Sequence, residues 1–215
     1  PIGNLDDISL RAKKILQKVD FIIVENPKHA LKLLNKLGIK KKLLSLHDYN
    51  EVSLIKKINK YQNNSLIALI SDSGSPLISD PGFNLVKDYI DKKFFVTSVP
   101  GPSSIIPSLQ LSGLAVNNFI FFGFVPKNQG PIISLIKRVE EFNLTSVFYI
   151  SGNRLQKFLE LLLKNSMNRK IAICKELTKI NEKIIRGNVD VIINKILNNE
   201  INLRGEFTIV VDNKK

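Results

Sequence analysis

The sequence predicts an α/β protein of two domains, and three observations carry that prediction. Short apolar runs alternate with amphipathic stretches of helical period through the first half of the chain. Turns rich in glycine, proline and serine stand at the ends of several of these runs. After Asn117-Asn118 the share of strand-like sequence rises. The first half therefore reads as a mostly parallel sheet with crossover helices and the second as a mixed sheet, giving domains 1–115 and 116–215.

In order, the chain opens in a loop, Pro1-Ile-Gly-Asn4, which leaves the first sheet without the strand expected before that loop. Asp6 or Asp7 can then cap a helix with apolar positions Ile8, Ala12, Ile15, Leu16 and Val19. Phe21-Ile-Ile-Val24 is a short buried strand ending at Glu25. Pro27 suits the first turn of a second helix, which carries Leu31, Leu33, Leu34 and Leu37 and stops at Gly38. A strand over 43–46 follows, then a polar loop, His47-Asp48-Tyr49-Asn50, whose asparagine can cap a helix containing Val52, Ile55 and Ile58. The apolar run 66–70 is the next buried strand. It leads into Ser71-Asp-Ser-Gly-Ser-Pro-Leu-Ile-Ser-Asp-Pro-Gly82, a helix over 84–91 and a strand over 94–97. Val99-Pro-Gly-Pro-Ser-Ser104 then opens an apolar helix ending near Gly113. In the second half strands are expected over 119–122, 146–150, 171–175, 183–186 and 206–211, and helices over 132–142, 154–163 and 189–197.

Composition narrows the function classes. The chain has 215 residues, 44% hydrophobic and 24% charged, enough for a substantial core. Neither a membrane-spanning run nor a signal peptide is read from it, so a cytoplasmic location without a membrane partner is expected. The single cysteine, Cys174, lies in an apolar run and reads as a buried small hydrophobe. With 32 Lys and Arg against 19 Asp and Glu the net charge is +13, which points to an anionic partner, nucleic acid first. Lysine, asparagine and isoleucine are all abundant, however, and an A/T-rich genome would write the same bias on any protein.

No P-loop, G-x-G-x-x-G or G-x-S-x-G motif occurs. His29 and His47 stand far apart without a matching ligand cluster, so they read as surface or capping residues and no metal site is expected. Three turns stand out instead: Pro1-Ile-Gly-Asn4, Ser73-Gly-Ser-Pro76 and Pro100-Gly-Pro-Ser-Ser104. All would sit at carboxyl ends of strands on one rim of the first sheet, where open α/β sheets hold ligands. Glu25 and Asp72 fall on the same rim, either as acids, bases or partners of a cofactor amine, or as helix caps. The stretch 71–82 is either an ordinary strand-to-helix connection or a ligand loop; its length and its two Asp-flanked turns favour the loop. Asp80 and Gly82 read as turn formers.

These residues carry a family resemblance. Residues 1–12, 71–82 and 100–103, Ser112-Gly-Leu114, Gly123-Phe-Val-Pro126 and Lys175-Glu-Leu-Thr-Lys179 match, in order, the bacterial small-subunit ribosomal RNA cytidine 2′-O-methyltransferases, a branch of the tetrapyrrole methylase superfamily. The resemblance implies a two-domain α/β enzyme, usually a homodimer, that binds S-adenosylmethionine in a cleft between its domains and acts on 16S ribosomal RNA or the small ribosomal subunit. Carried over by position, the cofactor-binding residues are Pro1, Ser73, Gly74, Ser75, Ile78, Ser103, Ser104 and, after the strand Val147-Phe-Tyr149, Ile150.

Four departures mark this chain. The family's first strand, before Pro1, and its C-terminal helical extension, after the position of Lys215, are not in this sequence. Glu25-Asn-Pro-Lys28 stands where the family usually has Glu-Asp-Thr-Arg, and Ile150-Ser-Gly-Asn-Arg-Leu155 where it has Glu-Ser-Pro-His-Arg-Leu. On this reading Glu25 and Asp72 are the candidate bases, and Arg11 and Arg154 the candidate phosphate contacts. Two rivals stand beside it. A small-molecule, tetrapyrrole-type methyltransferase is disfavoured because Pro1-Ile-Gly-Asn4 replaces the Gly-x-Gly-Pro-Gly found there. A cofactor-binding relative impaired in catalysis is motivated by the lost carboxylates.

Overall fold

A computed structural model describes residues 1–47, 49–58, 65–165 and 167–213, so Asp48 of the polar loop lies outside the described residues. It divides into two compact units, Pro1–Ser103 and Ser104–Lys215. Both are α/β, one around a parallel three-stranded sheet and the other around a mixed five-stranded sheet.

In the first unit β1 (Phe21–Val24) lies between β2 (Lys42–Ser45) and β3 (Ile67–Ile70), parallel to both. All four β1 residues are buried, as a central strand covered on both faces requires. Ile22 and Val24 face one layer, built from α1 (Leu10–Lys18) and α2 (Pro27–Lys36) through Leu16, Ala30 and Leu34. Phe21 and Ile23 face the other, built from α3 (Glu51–Ile58) and α4 (Phe83–Asp91) through Leu54, Ile58 and Leu85.

Caps explain where these helices begin. Neither Asp6 nor Asp7 caps α1. Asn4 Oδ1 accepts from Asp6 N–H to start a 3-10 turn, Leu5–Asp7, and Ser9 Oγ accepts from Ala12 N–H to start α1. Asp6 instead pairs with Lys36 at 2.6 Å. Pro27 occupies the first turn of α2 as expected, and Gly38 follows its end at φ +68°. Asn50 turns its Oδ1 back to His47 N–H. Gly82, the N-cap of α4, has no side chain to offer, and a buried carboxylate from the neighbouring helix does the work: Glu51 accepts from Leu85 N–H at 2.8 Å and from Asn84 Nδ2 at 2.9 Å.

The strand expected over 94–97 does not form. A short apolar run becomes a strand only where a neighbour accepts its ladder bonds, and among the described residues β3 pairs with β1 alone. Phe94 packs on Tyr89, with ring centroids 5.2 Å apart, while Phe95 is 91% exposed.

The second unit contains α5 (Ile105–Ser112), β4 (Phe119–Phe124), α6 (Gln129–Phe142), β5 (Thr145–Ser151), α7 (Gly152–Lys164), β6 (Lys170–Lys175), β7 (Lys183–Asn188), α8 (Val189–Leu197) and β8 (Glu206–Val211). Its strand order is β4-β5-β8-β6-β7; β4 and β5 are parallel and the other neighbours antiparallel. Alternation along the strands sends Phe148, Ile173 and Ile209 into a core with α6, α7 and α8, and Val147, Ala172 and Val210 to the opposite face beneath α5. Leu109 of α5 completes that second cluster. The division after Ser103 thus assigns α5 to the second sheet, whereas hydrophobic pattern alone suggested a boundary near 115. Cys174 is buried beneath α5, its Sγ 3.9 Å from the Ser108 carbonyl, and desolvation pushes its thiol up to about 11, so it packs as an apolar residue.

Candidate active site

Strand order dictates where the polar residues of the first unit meet. Three parallel strands end on the same rim, so Glu25 after β1 and Ser71 after β3 arrive together. The loop leaving β3 is held by unusual backbone: Gly74 has φ +78°, Leu77 +70°, Ser79 +68° and Gly82 +122°. Leu77 and Ser79 each meet the crowding that a Cβ meets in the left-handed region, costing roughly 1–2 kcal/mol apiece.

Two further turns fold against this loop. Gly74 N–H donates to the Pro1 carbonyl at 3.2 Å, and Ser75 Oγ to the Pro102 carbonyl at 3.4 Å. A Cβ on Gly74 would lie 3.6 Å from Ile2 Cγ2 and 3.8 Å from Pro102 O, so the space is ordinary and the positive φ is what selects glycine. The turns at 1–4, 73–76 and 100–102, separate in sequence, are therefore one feature of the first unit. Ile78 on the same loop is 45% exposed.

Carboxylates gather beside them. Asp72 Oδ1 accepts from Asn26 N–H at 3.1 Å, and Asp72 Oδ2 lies 3.4 Å from His29 Nδ1. Asp80 is the perturbed member. Desolvation, and then repulsion from Glu25 and Asp72, raise its pKa from 3.8 to about 6, against the pull of a hydrogen bond with Ser71. From sequence Asp80 reads as a turn former; in the fold its raised pKa, about 6, suits it to proton transfer near neutral pH. The signal that could have found it was its position ten residues after the end of β3, in a loop that must double back to start α4, but only packing shows that it returns to Glu25.

The remaining candidates belong elsewhere or are already engaged. Ile150 is in the second unit, 2% exposed, its side chain within the core around Leu155 and Phe207. Ser104 begins that unit, and its carbonyl accepts from Ser108 N–H. Arg154 is committed to holding the start of α7: Nε donates to Ser151 Oγ at 2.9 Å and Nη1 to the Val125 carbonyl at 2.8 Å. Arg11 is exposed on α1. The segment 175–179 is tied into a tight turn, with Glu176 Oε1 accepting from Glu206 N–H and from Lys179 Nζ. A cavity of about 520 Å³ beside it is lined by Lys175, Lys183, Arg204, Glu182, Glu200 and Ile185 among others. Among the described residues no group of three His, Cys, Asp or Glu side chains is placed to hold a metal ion, and no helix is long and apolar enough to cross a membrane.

Comparison with known proteins agrees with this architecture. Residues 1–192 match the family model of the tetrapyrrole (corrin/porphyrin) methylases. Two relatives named ribosomal RNA small subunit methyltransferase I are similar along nearly the whole chain. The Xylella fastidiosa protein is 38% identical over 213 residues, covering 98% of this chain and 78% of its own length. The Thermotoga maritima protein is 37% identical over 216 residues, covering 100% of this chain and 96% of its own. Among solved structures, a diphthine synthase superposes with a TM-score of 0.70 at 15% identity, covering 98% of this chain and 86% of that one. A cobalt precorrin-4 methyltransferase does so with a TM-score of 0.68, also at 15% identity, covering 98% and 90%; at such identity both speak to the fold alone. Identity above 30% along nearly the whole of this chain is a stronger statement, and with it this chain belongs to the tetrapyrrole methylase family, among its ribosomal RNA small subunit methyltransferase I members.

Proposed function

We propose that this chain transfers a methyl group from S-adenosylmethionine to ribosomal RNA of the small subunit, and that the acceptor is the 2′-hydroxyl of a cytidine ribose. The observation that carries the reading is the rim of the first unit, where Asp80, its pKa raised to about 6, stands beside Glu25 and Asp72 against three folded-together turns. The relatives' names supply the RNA class.

The chemistry of the rim suits the cofactor. Its sulfonium and amino groups are cationic, and Glu25, Asp72 and Asp80 supply negative charge. Gly74 and its neighbours offer backbone that a ligand can approach closely. Pro1, Ser73, Gly74, Ser75, Ile78 and Ser103 of the first unit would hold it. When bound, S-adenosylmethionine supplies a methyl group already activated by the positive sulfur. The protein's share is to align the ribose hydroxyl and to take its proton. Asp80 accepts that proton: at pH 7 it is mostly a carboxylate, yet more basic than an ordinary aspartate. Asp72, braced by Asn26 and His29, is a positioning residue, and with Glu25 it raises the basicity of Asp80.

Incubation of the purified chain with small ribosomal subunits and methyl-labelled S-adenosylmethionine, followed by nuclease digestion and mass spectrometry, is expected to yield 2′-O-methylcytidine. Label on a base, or unlabelled RNA while a porphyrin precursor is methylated, would overturn the reading. Gly74→Val is expected to weaken cofactor binding by roughly tenfold or more in calorimetry, since a β-branched residue at φ +78° costs about 1–2 kcal/mol and moves the loop. Unchanged affinity would remove the loop from the cofactor site.

A further inference from the structure

The positive charge of this protein is not spread evenly over its helices. α1 and α2 together carry seven cations, Arg11, Lys13, Lys14, Lys18, Lys28, Lys32 and Lys36, and no acid. On the opposite face of the same sheet α3 and α4 carry Lys56, Lys57 and Lys87 against Glu51, Asp88 and Asp91. The longer helices of the second unit are mixed as well: α6 sets Lys137 and Arg138 against Glu140 and Glu141, and α7 carries Glu160 among its cations. A lysine-rich genome raises lysine everywhere. It does not strip the acids from one layer and leave them in the next.

Geometry turns the asymmetry into a surface. α1 and α2 share one core cluster through Leu16, Ala30 and Leu34, so they form a single layer over the sheet. Arg11, Lys14 and Lys18 follow i, i+3, i+7 spacing, Lys28, Lys32 and Lys36 follow i, i+4, i+8, and all six are exposed. At about 1.5 Å rise per residue each row places three charges along roughly 10–12 Å of helix. Asp6 is the acid that meets a row, pairing with Lys36 at its end.

We infer that the α1–α2 layer is a docking surface for the phosphate backbone of folded ribosomal RNA, separate in role from the methyl-transfer site. Five of the six exposed cations are lysines, compact point charges that bind phosphate without the forked geometry that reads base edges. The layer therefore supplies sequence-independent affinity and orientation, as recognition of structured RNA by shape and phosphate requires. The inference rests on the ribosomal RNA reading above.

The test is the salt dependence of binding. For the intact chain and for a Lys14→Gln, Lys18→Gln, Lys32→Gln variant, affinity for a small-subunit RNA fragment is measured by fluorescence anisotropy at several salt concentrations. Each lost phosphate contact lowers the slope of log affinity against log salt by about 0.9 on a duplex, so a fall of about 2–3 is expected, with at least roughly tenfold weaker binding near physiological salt. Lys137→Gln, Lys157→Gln, Lys164→Gln, an equal charge change on α6 and α7, is expected to shift both far less. Thermal unfolding of each variant shows that the helices persist. Equal losses in the two variants would mean diffuse net charge rather than a surface. An unchanged slope in the first, or dependence of anionic vesicle binding but not RNA binding on these lysines, overturns the inference and leaves methylation by the wild-type chain standing. A wild-type chain that neither binds nor methylates the RNA removes both.

Discussion

Asp80→Asn is expected to lower the rate of ribosomal RNA methylation by roughly 10²-fold or more while making the folded chain more stable at pH 7. The rate loss is the typical worth of a positioned general base. The stability gain follows from the sign of the pKa shift. Asp80 titrates near 6 in the folded chain rather than 3.8, chiefly because it is desolvated and then because Glu25 and Asp72 repel its charge. Between about pH 4 and 6 the folded chain keeps a proton that the unfolded chain releases, so wild-type stability declines as pH rises through that window and levels off above it. Asparagine carries no charge to desolvate. The variant should gain on the order of 1 kcal/mol at pH 7, after allowing for the partial exposure of the group, and nothing at pH 4. Single-turnover rates of the wild type should climb through pH 6 and plateau above about pH 7, and the variant should lack that limb. Wild-type rates in the variant would take the proton from Asp80 and return it to Glu25 or Asp72.

Gly152→Ala should be the most damaging small substitution in the second unit. A Cβ there would stand 1.6 Å from the Leu203 carbonyl oxygen, 2.6 Å from its carbon and 2.8 Å from Phe207 Cε2. Backbone cannot rotate away as a side chain can, so either α7 or the chain around Leu203 must move. Overpacking of a core usually costs 1–3 kcal/mol, and a carbonyl in the way argues for about 3 or more. The urea midpoint should fall with little change in slope. Gly187→Ala is the control, because its Cβ would meet nothing nearer than Ile192 Cγ1 at 3.5 Å. A variant as stable as the control would mean that the 201–205 segment is free to yield.

Much of the architecture was legible because it is local. The apolar run 21–24, Pro27, Gly38 and Gly113 stand where their own backbone chemistry puts them, and the structure has β1, the two ends of α2 and the left-handed end of α5 there. What failed was what depends on distant neighbours. Residues 94–97 have strand composition but no ladder partner. Asp6 and Asp7 are good capping residues outcompeted by Asn4 and Ser9, whose positions matched the actual starts. Arg154, a candidate phosphate contact, has two of its five donors engaged by Ser151 and Val125, which its place in the sequence does not reveal. Asp80 and Glu25 are 55 positions apart, and no periodicity announces that their charges meet.

The order of the five-stranded sheet has a consequence for synthesis. β8 is the last strand of the unit in chain order, yet it sits at the centre, bonded to β5 on one side and β6 on the other. Until residues 206–211 leave the ribosome, no strand can join β4-β5 to β6-β7, and the inner edge of each pair lacks its ladder partner. The unit's tertiary structure must therefore close late and all at once, by long-range pairing of a kind that is slow to nucleate and open to aggregation while it waits. The three parallel strands described in the first unit lie within residues 21–70, so they can pair while the second unit is still being made.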